Sequence, residues 1–278
     1  MFSVFSPLMA PERTTSIIIE EHIIDSVFLE REVIIDLYLP VNVEDPSAMS
    51  LLLINDGQDL RTMKFEDILE QLYESNSIQP ILCVAMHCGT DRRNEYATAN
   101  TLDYKGRGKK APQYNQFIFD ELLPFIRKTF LVPSFKEKCF AGFSLGGLSA
   151  LDIAWNHQQE FTKVGVFSGS LWWRDKSQDD EDFNEAADRI MHRQVREGNY
   201  APWLKFFFEV GTQDETADRN NNGIIDSIDD TISLIDELVA KGYDREKDIK
   251  YLELTDGKHD VPTWAKAFPD FLKWGWGE

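Results

Sequence analysis

The sequence predicts an α/β fold in which a central, mostly parallel sheet is flanked by helices. Short, all-apolar stretches at residues 51–54 and 81–86 are typical of strands that are buried on both faces of a parallel sheet. Stretches of helical character alternate with the later strands, which is the pattern of repeated βα units. No internal repeat, low-complexity tract or linker divides the 278 residues, so we expect a single domain over residues 1–278.

The predicted elements follow from the apolar patterns along the chain. Residues 174–202 turn acidic and then helical without a clear sheet partner, so we expect an excursion or cap over the site there. Pro124 is an awkward member of the helix predicted around it. The full set is a strand pair at 15–25 and 27–39, a loop at 42–50, strands at 51–54, 81–86, 139–141, 164–167, 206–210 and 249–254, and helices at 65–73, 114–130, 147–158, 231–241 and 261–274.

The composition indicates a soluble globular chain and argues against two classes of binding partner. Lys and Arg number 29 against 48 Asp and Glu, which gives a formal net charge of −19. That charge repels nucleic acid and anionic membranes, so neither is expected as a partner. Cys83, Cys88 and Cys139 cannot all pair, which favours free thiols in a reducing compartment. The N-terminal apolar run has no basic leader, so we expect a cytoplasmic location.

The stretch Gly142-Phe-Ser-Leu-Gly146 is a G-x-S-x-G motif between a predicted strand and a predicted helix. A nucleophile elbow needs this context, because its turn is sharp and glycines on either side of the serine let strand and helix pass closely. A bare G-x-S-x-G also occurs by chance, so the prediction depends on the context. We predict that the turn presents the Ser144 hydroxyl above the sheet as a nucleophile.

A serine nucleophile needs a base to take its proton, and a histidine base needs a carboxylate to fix its tautomer. Of the five histidines, His259 alone follows the last predicted strand. Asp214 follows the preceding strand, with Glu215 as the rival carboxylate. Loops at the carboxyl ends of parallel strands converge, so these groups are expected to meet Ser144. The order serine, acid, histidine is that of α/β-hydrolases.

The negative charge that develops on an attacked carbonyl oxygen is stabilised by backbone N–H groups. One predicted donor is Leu145, directly after the nucleophile. The other is Gln58, in the loop after the strand at 51–54, where Gly57 allows an unusual backbone. These two N–H groups are the predicted oxyanion hole.

Several short segments resemble the family described as putative esterases, which includes enterochelin esterases, feruloyl and acetyl xylan esterases, S-formylglutathione hydrolase and mycolyltransferases. The resemblance runs from the first strand pair to the C-terminus and implies an α/β-hydrolase fold, an acyl-serine mechanism and a triad at Ser144, Asp214 and His259. Many relatives carry His-Gly where this chain has Asp56-Gly57, which changes the local charge but keeps the N–H donor. The matching segments are Asn55-Asp-Gly-Gln58, Arg93-Asn-Glu-Tyr96, Gly142-Phe-Ser-Leu-Gly-Gly147, Phe167-Ser-Gly-Ser-Leu-Trp172, Gly211-Thr-Gln-Asp214 and Lys258-His259.

A second motif, at residues 218–229, has the spacing D-x-N-x-N-G-x-x-D-x-x-D of a calcium loop. Its last position is Asp rather than Glu, which resembles dockerin loops more than calcium sensors. We expect a structural Ca²⁺ that holds the acid-bearing loop rigid and plays no part in the chemistry, while a metal-free loop rich in Asn and Asp is the alternative. The predicted ligands are Asp218, Asn220, Asn222, Ile224, Asp226 and Asp229.

Four residues are candidates for substrate contact: Glu95 and Tyr96, together with Trp172 and Trp173, which lie just beyond a predicted strand end. Tryptophans at such a position stack on sugar or phenolic rings. The alternative, that they only pack the excursion onto the sheet, is equally compatible with the sequence.

The sequence thus predicts a serine esterase that hydrolyses a small-molecule carboxylic ester, such as a phenolic, sugar or siderophore ester, without a cofactor for the chemistry. Two alternatives stay open. One is an acyltransferase of the same fold, and the other is a non-catalytic module that binds a partner through a calcium loop. The residues do not identify the acyl group or the alcohol.

Overall fold

The computed structural model of the protein describes residues 16–41, 43, 45, 48–132 and 134–277. Within them, eight strands form one sheet that is covered by helices on both faces. The predicted α/β architecture is therefore confirmed. The strands are β1 (Ile17–Ser26), β2 (Arg31–Pro40), β3 (Ser50–Asn55), β4 (Ile81–Met86), β5 (Lys138–Phe143), β6 (Lys163–Phe167), β7 (Lys205–Gln213) and β8 (Ile249–Lys258).

The strands lie in the order β1-β2-β4-β3-β5-β6-β7-β8. β2 is antiparallel to both of its neighbours, whereas every pair from β4 to β8 is parallel. The carboxyl ends of the parallel strands therefore share one edge of the sheet. The chain progresses in opposite directions from β3 and from β5, so a crevice is expected at this edge between the loops that follow these two strands.

The helices divide between two apolar layers, one on each face of the sheet. In β3, Leu51 and Leu53 belong to one layer while Leu52 and Ile54 belong to the other, since successive side chains of a strand point to opposite faces. The helices are α1 (Leu60–Met63), α2 (Phe65–Glu74), α3 (Arg92–Glu95), α4 (Ala111–Gln116), α5 (Leu123–Phe130), α6 (Leu145–Asn156), α7 (Glu185–Asp188), α8 (Ile190–Glu197), α9 (Asp226–Lys241) and α10 (Val261–Trp276). α2 and α10 contribute to one layer, and α4, α5, α6, α8 and α9 to the other.

Some predicted boundaries were wrong. The second strand was expected to begin at residue 27, but residues 27–30 form the turn between β1 and β2, and Glu30 takes a left-handed φ of 55°. The last strand runs on to Lys258, so His259 follows the strand end directly. A π-helical turn, Phe117–Leu122, joins α4 to α5 without a break, and Pro124 lies just after this turn in the interior of the long helix. Residue 15 and part of the loop at 42–50 lie outside the described residues.

The excursion at residues 174–202 contains α7 and α8, and α8 packs against α6 and α9. A single bridge pairs Arg174 with Arg189. The excursion is thus tied to the elbow side of the sheet. In the part of the chain that the structure describes, no helix combines the length and apolarity needed to cross a bilayer.

Candidate active site

Ser144 lies at a strained turn between β5 and α6. Its φ of 54° and ψ of −121° are unusual for a residue with a side chain. The strand and helix pass so closely that a Cβ on Gly142 would lie 2.3 Å from the Gly146 carbonyl oxygen. Two backbone hydrogen bonds hold the turn: the Ser144 N–H donates to the Phe167 carbonyl at 2.8 Å, and the Ser170 N–H donates to the Ser144 carbonyl at 3.1 Å. The geometry is that of a nucleophile elbow.

Asp214 and His259 lie side by side at the carboxyl ends of β7 and β8. His259 Nδ1 is 3.8 Å from Asp214 Oδ2, and the Asp214 side chain is 1% exposed while that of His259 is 39% exposed. They line a cavity of about 120 Å³ together with Ser168, Gly169, Trp172, Glu215 and Ser227. Ser144 Oγ lies 3.5 Å from Ser170 Oγ, and no hydrogen bond joins it to His259 among the described residues.

Glu215, the rival carboxylate, also lines this cavity. Burial raises the pKa of its side chain, and the charge of Asp226 raises that pKa further. The ion-pair contact with His259 is made by Asp214. We therefore keep Asp214 as the candidate acid.

Trp264, at the start of α10, supports the pair in a way that the sequence did not indicate. The His259 ring meets the Trp264 ring edge-on, with 5.5 Å between centroids. Trp264 Nε1 donates a 2.9 Å hydrogen bond to Ser168 Oγ. Asp214 packs closely against Gly211. A Cβ added to Gly211 would lie only 2.7 Å from Asp214 Oδ1, so no larger residue fits there without a shift. Both members of the pair are thus in contact with rigid, buried elements.

The two predicted oxyanion donors lie on adjoining backbone segments. Leu145 begins α6, so its N–H is one of the free donors of a helix N-terminus. Gln58 lies in a 3₁₀ turn, Gly57–Asp59, directly after β3. Gly57 packs on β4 so closely that a Cβ there would lie 2.7 Å from the Ala85 carbonyl carbon. The Gln58 side-chain oxygen accepts from the Cys88 N–H at 3.1 Å.

A buried ion pair joins this turn to the elbow. Both Asp56 carboxylate oxygens accept from Arg92, at 2.7 Å from Nε and 2.6 Å from Nη2. Arg92 Nη2 also donates to the Phe143 carbonyl at 3.2 Å, one residue before the nucleophile. A Cβ on Gly146 would lie 2.5 Å from Asp56 Oδ2, so the carboxylate is packed against the first turn of α6. Asp56 thus takes part in positioning the elbow.

Three of the four residues predicted to contact substrate are buried. Glu95 is 1% exposed and both of its oxygens bind Arg31, at 2.9 and 2.7 Å, so it forms a buried ion pair and does not face the cavity. Tyr96 is fully buried, with its hydroxyl accepting from the Asp56 N–H at 3.3 Å. Trp173 is 1% exposed. The placement of these three side chains therefore does not fit a direct contact with substrate.

Trp172 is the candidate that does line the cavity. The Arg107 and Arg174 guanidinium carbons lie 5.4 and 5.9 Å from the centroid of its ring. Cation–π contacts of this kind hold an indole in a fixed plane. Trp172 is thus a fixed aromatic surface beside Asp214 and His259.

The predicted calcium loop is closed by its own hydrogen bonds. The Asn220 and Asn222 amide groups donate to Asp229 Oδ2 at 2.8 and 2.7 Å, and Asp218 accepts from the backbone N–H of Asn222 and Gly223. The Arg219 N–H donates to Asp226. Across the described residues, no three His, Cys, Asp or Glu side chains are grouped so that they could hold a metal ion. A dockerin-like metal site is therefore not supported, and Ca²⁺ stays a prediction.

A cluster of charged side chains fastens the same loop to the excursion. Arg219 pairs with Glu185 of α7 and with Asp230 of α9. Arg189, between α7 and α8, donates to Asp230 Oδ1 at 2.6 Å, and Asp230 is 1% exposed. His192 Nε2 lies 2.9 Å from the Asp230 carbonyl oxygen, and burial lowers the pKa of this imidazole. Protein groups alone thus join loop, excursion and α9.

A model of the family described as "Putative esterase" matches residues 26–274. The chain belongs to that family. Over 249 residues the chain is 22% identical to "Uncharacterized protein YbbA" of Bacillus subtilis (strain 168), which covers 87% of this chain and 92% of YbbA.

Several solved structures are similar to this chain in fold. The enterobactin esterase FES from Shigella flexneri, in the presence of enterobactin, matches with a TM-score of 0.71 and 20% identity over 95% of this chain and 59% of the FES chain. This chain thus spans less than two thirds of the length of FES. The BES protein from Bacillus cereus matches with a TM-score of 0.69 and 18% identity over 99% of this chain and 98% of BES. A ferulic acid esterase matches with a TM-score of 0.66 and 18% identity over 93% and 97% of the two chains. At these identities the likeness concerns the fold, and it confirms the predicted α/β-hydrolase fold.

Proposed function

We propose that the protein is an esterase that cleaves its substrate through an acyl-enzyme on Ser144. Ser144 Oγ attacks the ester carbonyl carbon while His259 takes the hydroxyl proton and passes it to the departing alcohol. Asp214 orients His259 and stabilises its charged form. The N–H groups of Leu145 and Gln58 bind the oxyanion. Water, deprotonated by His259, then attacks the acyl group and releases the acid and the free serine.

The observation that carries this proposal is the pairing of a buried Asp214 with an accessible His259 at the same sheet edge as the Ser144 elbow. The Asp214 side chain is 1% exposed, so its charge acts on the imidazole with little screening by water. The separation of 3.8 Å exceeds a hydrogen bond, and the imidazole is 39% exposed. In sites without substrate such contacts are often long and tighten when substrate binds.

For the substrate, we propose a small ester with an aromatic group. Trp172 offers a ring beside Asp214 and His259 on which a phenolic ring stacks. Two of the similar structures are named as an enterobactin esterase and a ferulic acid esterase. This preference is tested by comparing KM for esters of the same acyl length with and without a phenolic ring. We expect the lower KM for the phenolic ester.

A fluorophosphonate probe tests the nucleophile. We expect the wild-type protein to be labelled, Ser144→Ala not to be labelled, and Asp214→Asn to be labelled much more slowly. Ser170→Ala is the matched control, because its hydroxyl is 3.5 Å from that of Ser144, and it should still be labelled. Release of free acid, in place of transfer to an added alcohol, identifies hydrolysis. A folded wild-type protein that is not labelled would contradict the proposal and favour a binding module.

We also keep a structural Ca²⁺ at residues 218–229 as a proposal. The loop supplies oxygen donors that suit this ion once the Asn220 and Asn222 amides rotate to present oxygen instead of nitrogen. Binding to the folded state alone raises the melting temperature. We expect a higher Tm in millimolar Ca²⁺ than in EGTA, and no such difference in Asp218→Ala. An equal Tm in both buffers would mean that the hydrogen-bonded loop needs no metal.

A further inference from the structure

Glu209 is a buried carboxyl group that the proposed mechanism does not use. It lies in β7 between Phe208 and Val210, and it is 1% exposed. Neither carboxyl oxygen has a hydrogen-bond partner of good geometry among the described residues, and Ser168, directly after β6, is a neighbouring donor. A buried carboxylate in that condition is strongly unfavourable, so the group needs either a partner or a proton.

Asp214, five residues further along the chain, is also a buried carboxyl group without an aligned hydrogen-bond partner within the described ranges. Its side chain is also 1% exposed, and its two oxygens have no aligned hydrogen-bond donor in the described structure. The register between β7 and β8 shifts between Gly211 and Gln213. Gly211 lies two residues after Glu209 and so shares its face of β7, since successive side chains of a strand alternate. A Cβ on Gly211 would lie 2.7 Å from Asp214 Oδ1, which places the Asp214 carboxylate over the face from which the Glu209 side chain projects.

The two carboxyl groups act on each other electrostatically. Burial, followed by the negative charge of Asp214, raises the pKa of Glu209 to about 8. Tyr251 of β8 pairs with Phe208, so its side chain lies on the opposite face of the sheet from Glu209, and burial is the main cause that raises the pKa of its phenol. Ser168, directly after β6, is an uncharged neighbour of Glu209, and its N–H and hydroxyl groups act against this rise by lowering the pKa of Glu209. Two adjacent buried carboxyl groups do not both ionise readily, so near neutral pH Glu209 keeps its proton.

We propose that Glu209 is a positioning residue of the active site, and that its protonated carboxyl donates a hydrogen bond to the Asp214 carboxylate. A protonated carboxyl has one O–H donor, and the unpartnered oxygens of Asp214 are the acceptors that face it. The hydrogen bond fixes which oxygen Asp214 presents to His259. This role rests on the proposed triad, since it acts on the substrate only through Asp214 and His259.

The sign of the pH effect follows from the shift in pKa. Above about pH 8 Glu209 loses its proton, so Asp214 loses a donor and gains a negative neighbour. Activity therefore declines above that pH. Stability changes in the same direction: between the ordinary glutamate pKa of about 4.3 and about 8, the folded state holds a proton that the unfolded chain has released, so stability falls as pH rises through this window.

Glu209→Gln is the decisive variant, because its amide keeps an N–H donor at every pH. At pH 7 we expect kcat/KM close to that of the wild type. At pH 9 the wild type should retain about a tenth of its plateau value if only the protonated form is active, while Glu209→Gln retains most of its own. Its free energy of unfolding should also fall less steeply from pH 5 to pH 8. Glu253→Gln, an exposed carboxylate on β8, is the matched control and should follow the wild type.

Infrared difference spectra give a readout that does not depend on activity. The wild type at pH 7 should show a protonated-carboxyl C=O band that is absent in Glu209→Gln and disappears above about pH 8. In Asp214→Asn, which retains Glu209, the band should disappear at a lower pH because the neighbouring charge is gone. The inference would be overturned if kcat/KM of Glu209→Gln declined at alkaline pH as it does in the wild type. It would also be overturned if the wild type lacked the protonated-carboxyl band. Loss of probe labelling in the wild type would instead overturn the proposed function and leave the infrared test of Glu209 intact.

Discussion

Alanine at Ser144 or at His259 is expected to lower kcat by about 10⁴- to 10⁶-fold, and the double variant should lose little more than either single one. Without the Ser144 hydroxyl no acyl-enzyme forms, and without His259 nothing takes the proton from that hydroxyl. The two groups act as one unit, so their effects do not add. The measurement is kcat on a matched ester for both single variants and the double variant.

Folding controls are needed for both variants. His259 is partly exposed and Ser144 lies at a surface turn, so the Tm of each alanine variant should stay near that of the wild type. The remaining activity should come from the Leu145 and Gln58 N–H groups and from binding. Losses that multiply in the double variant would mean that the two residues act independently and would contradict the triad.

Arg92→Ala should have the second-largest effect, mainly on stability. It leaves the buried Asp56 carboxylate without its counter-charge, and because the Arg92 side chain is itself 29% exposed we expect a loss at the lower end of the range for buried pairs, about 3 kcal/mol. Because Asp56 packs against Gly146 and Arg92 binds the Phe143 carbonyl, the oxyanion turn and the elbow should shift together and kcat should fall as well. Urea denaturation and kcat on the same ester measure the two effects.

Two companion variants separate this role from general surface charge. Arg93→Ala removes a neighbouring, exposed arginine and should leave stability within about 0.5 kcal/mol of the wild type. The double variant Asp56→Asn with Arg92→Gln removes both charges but keeps hydrogen-bonding groups, so it should recover most of the lost stability. If Arg92→Ala were as stable as Arg93→Ala, the ion pair would not hold the turn.

The sequence allowed good predictions where the chemistry depends on local backbone. The elbow at Ser144 needs glycines at fixed offsets between a strand and a helix, and this pattern is visible in one dimension. Asp214 and His259 could be selected because the ends of parallel strands converge. The fold class followed from alternating apolar strands and helices.

Contacts between distant segments were not predictable in this way. Glu95 and Trp173 occur at positions that are typical of substrate contacts, yet one forms an ion pair with Arg31 and the other is buried. Glu209 appeared only as part of an apolar strand, and nothing in the sequence indicated its proximity to Asp214. In the loop at residues 218–229 the spacing of Asn and Asp is that of calcium ligands, but spacing does not reveal whether an amide presents oxygen or nitrogen.

The cluster of Arg219, Arg189 and Asp230 limits how substrate preference can be re-engineered. Replacing residues 174–202 with the corresponding segment of a relative would remove Glu185 and Arg189. Arg219 would then lose its ion pair with Glu185, and Asp230 would lose its ion pair with Arg189. Arg219 lies five residues after Asp214, so the disturbance would reach the proposed catalytic acid along the chain. A transplanted segment therefore has to bring its own acidic and basic partners for α9, or the exchange will alter the rate of the reaction along with the choice of substrate.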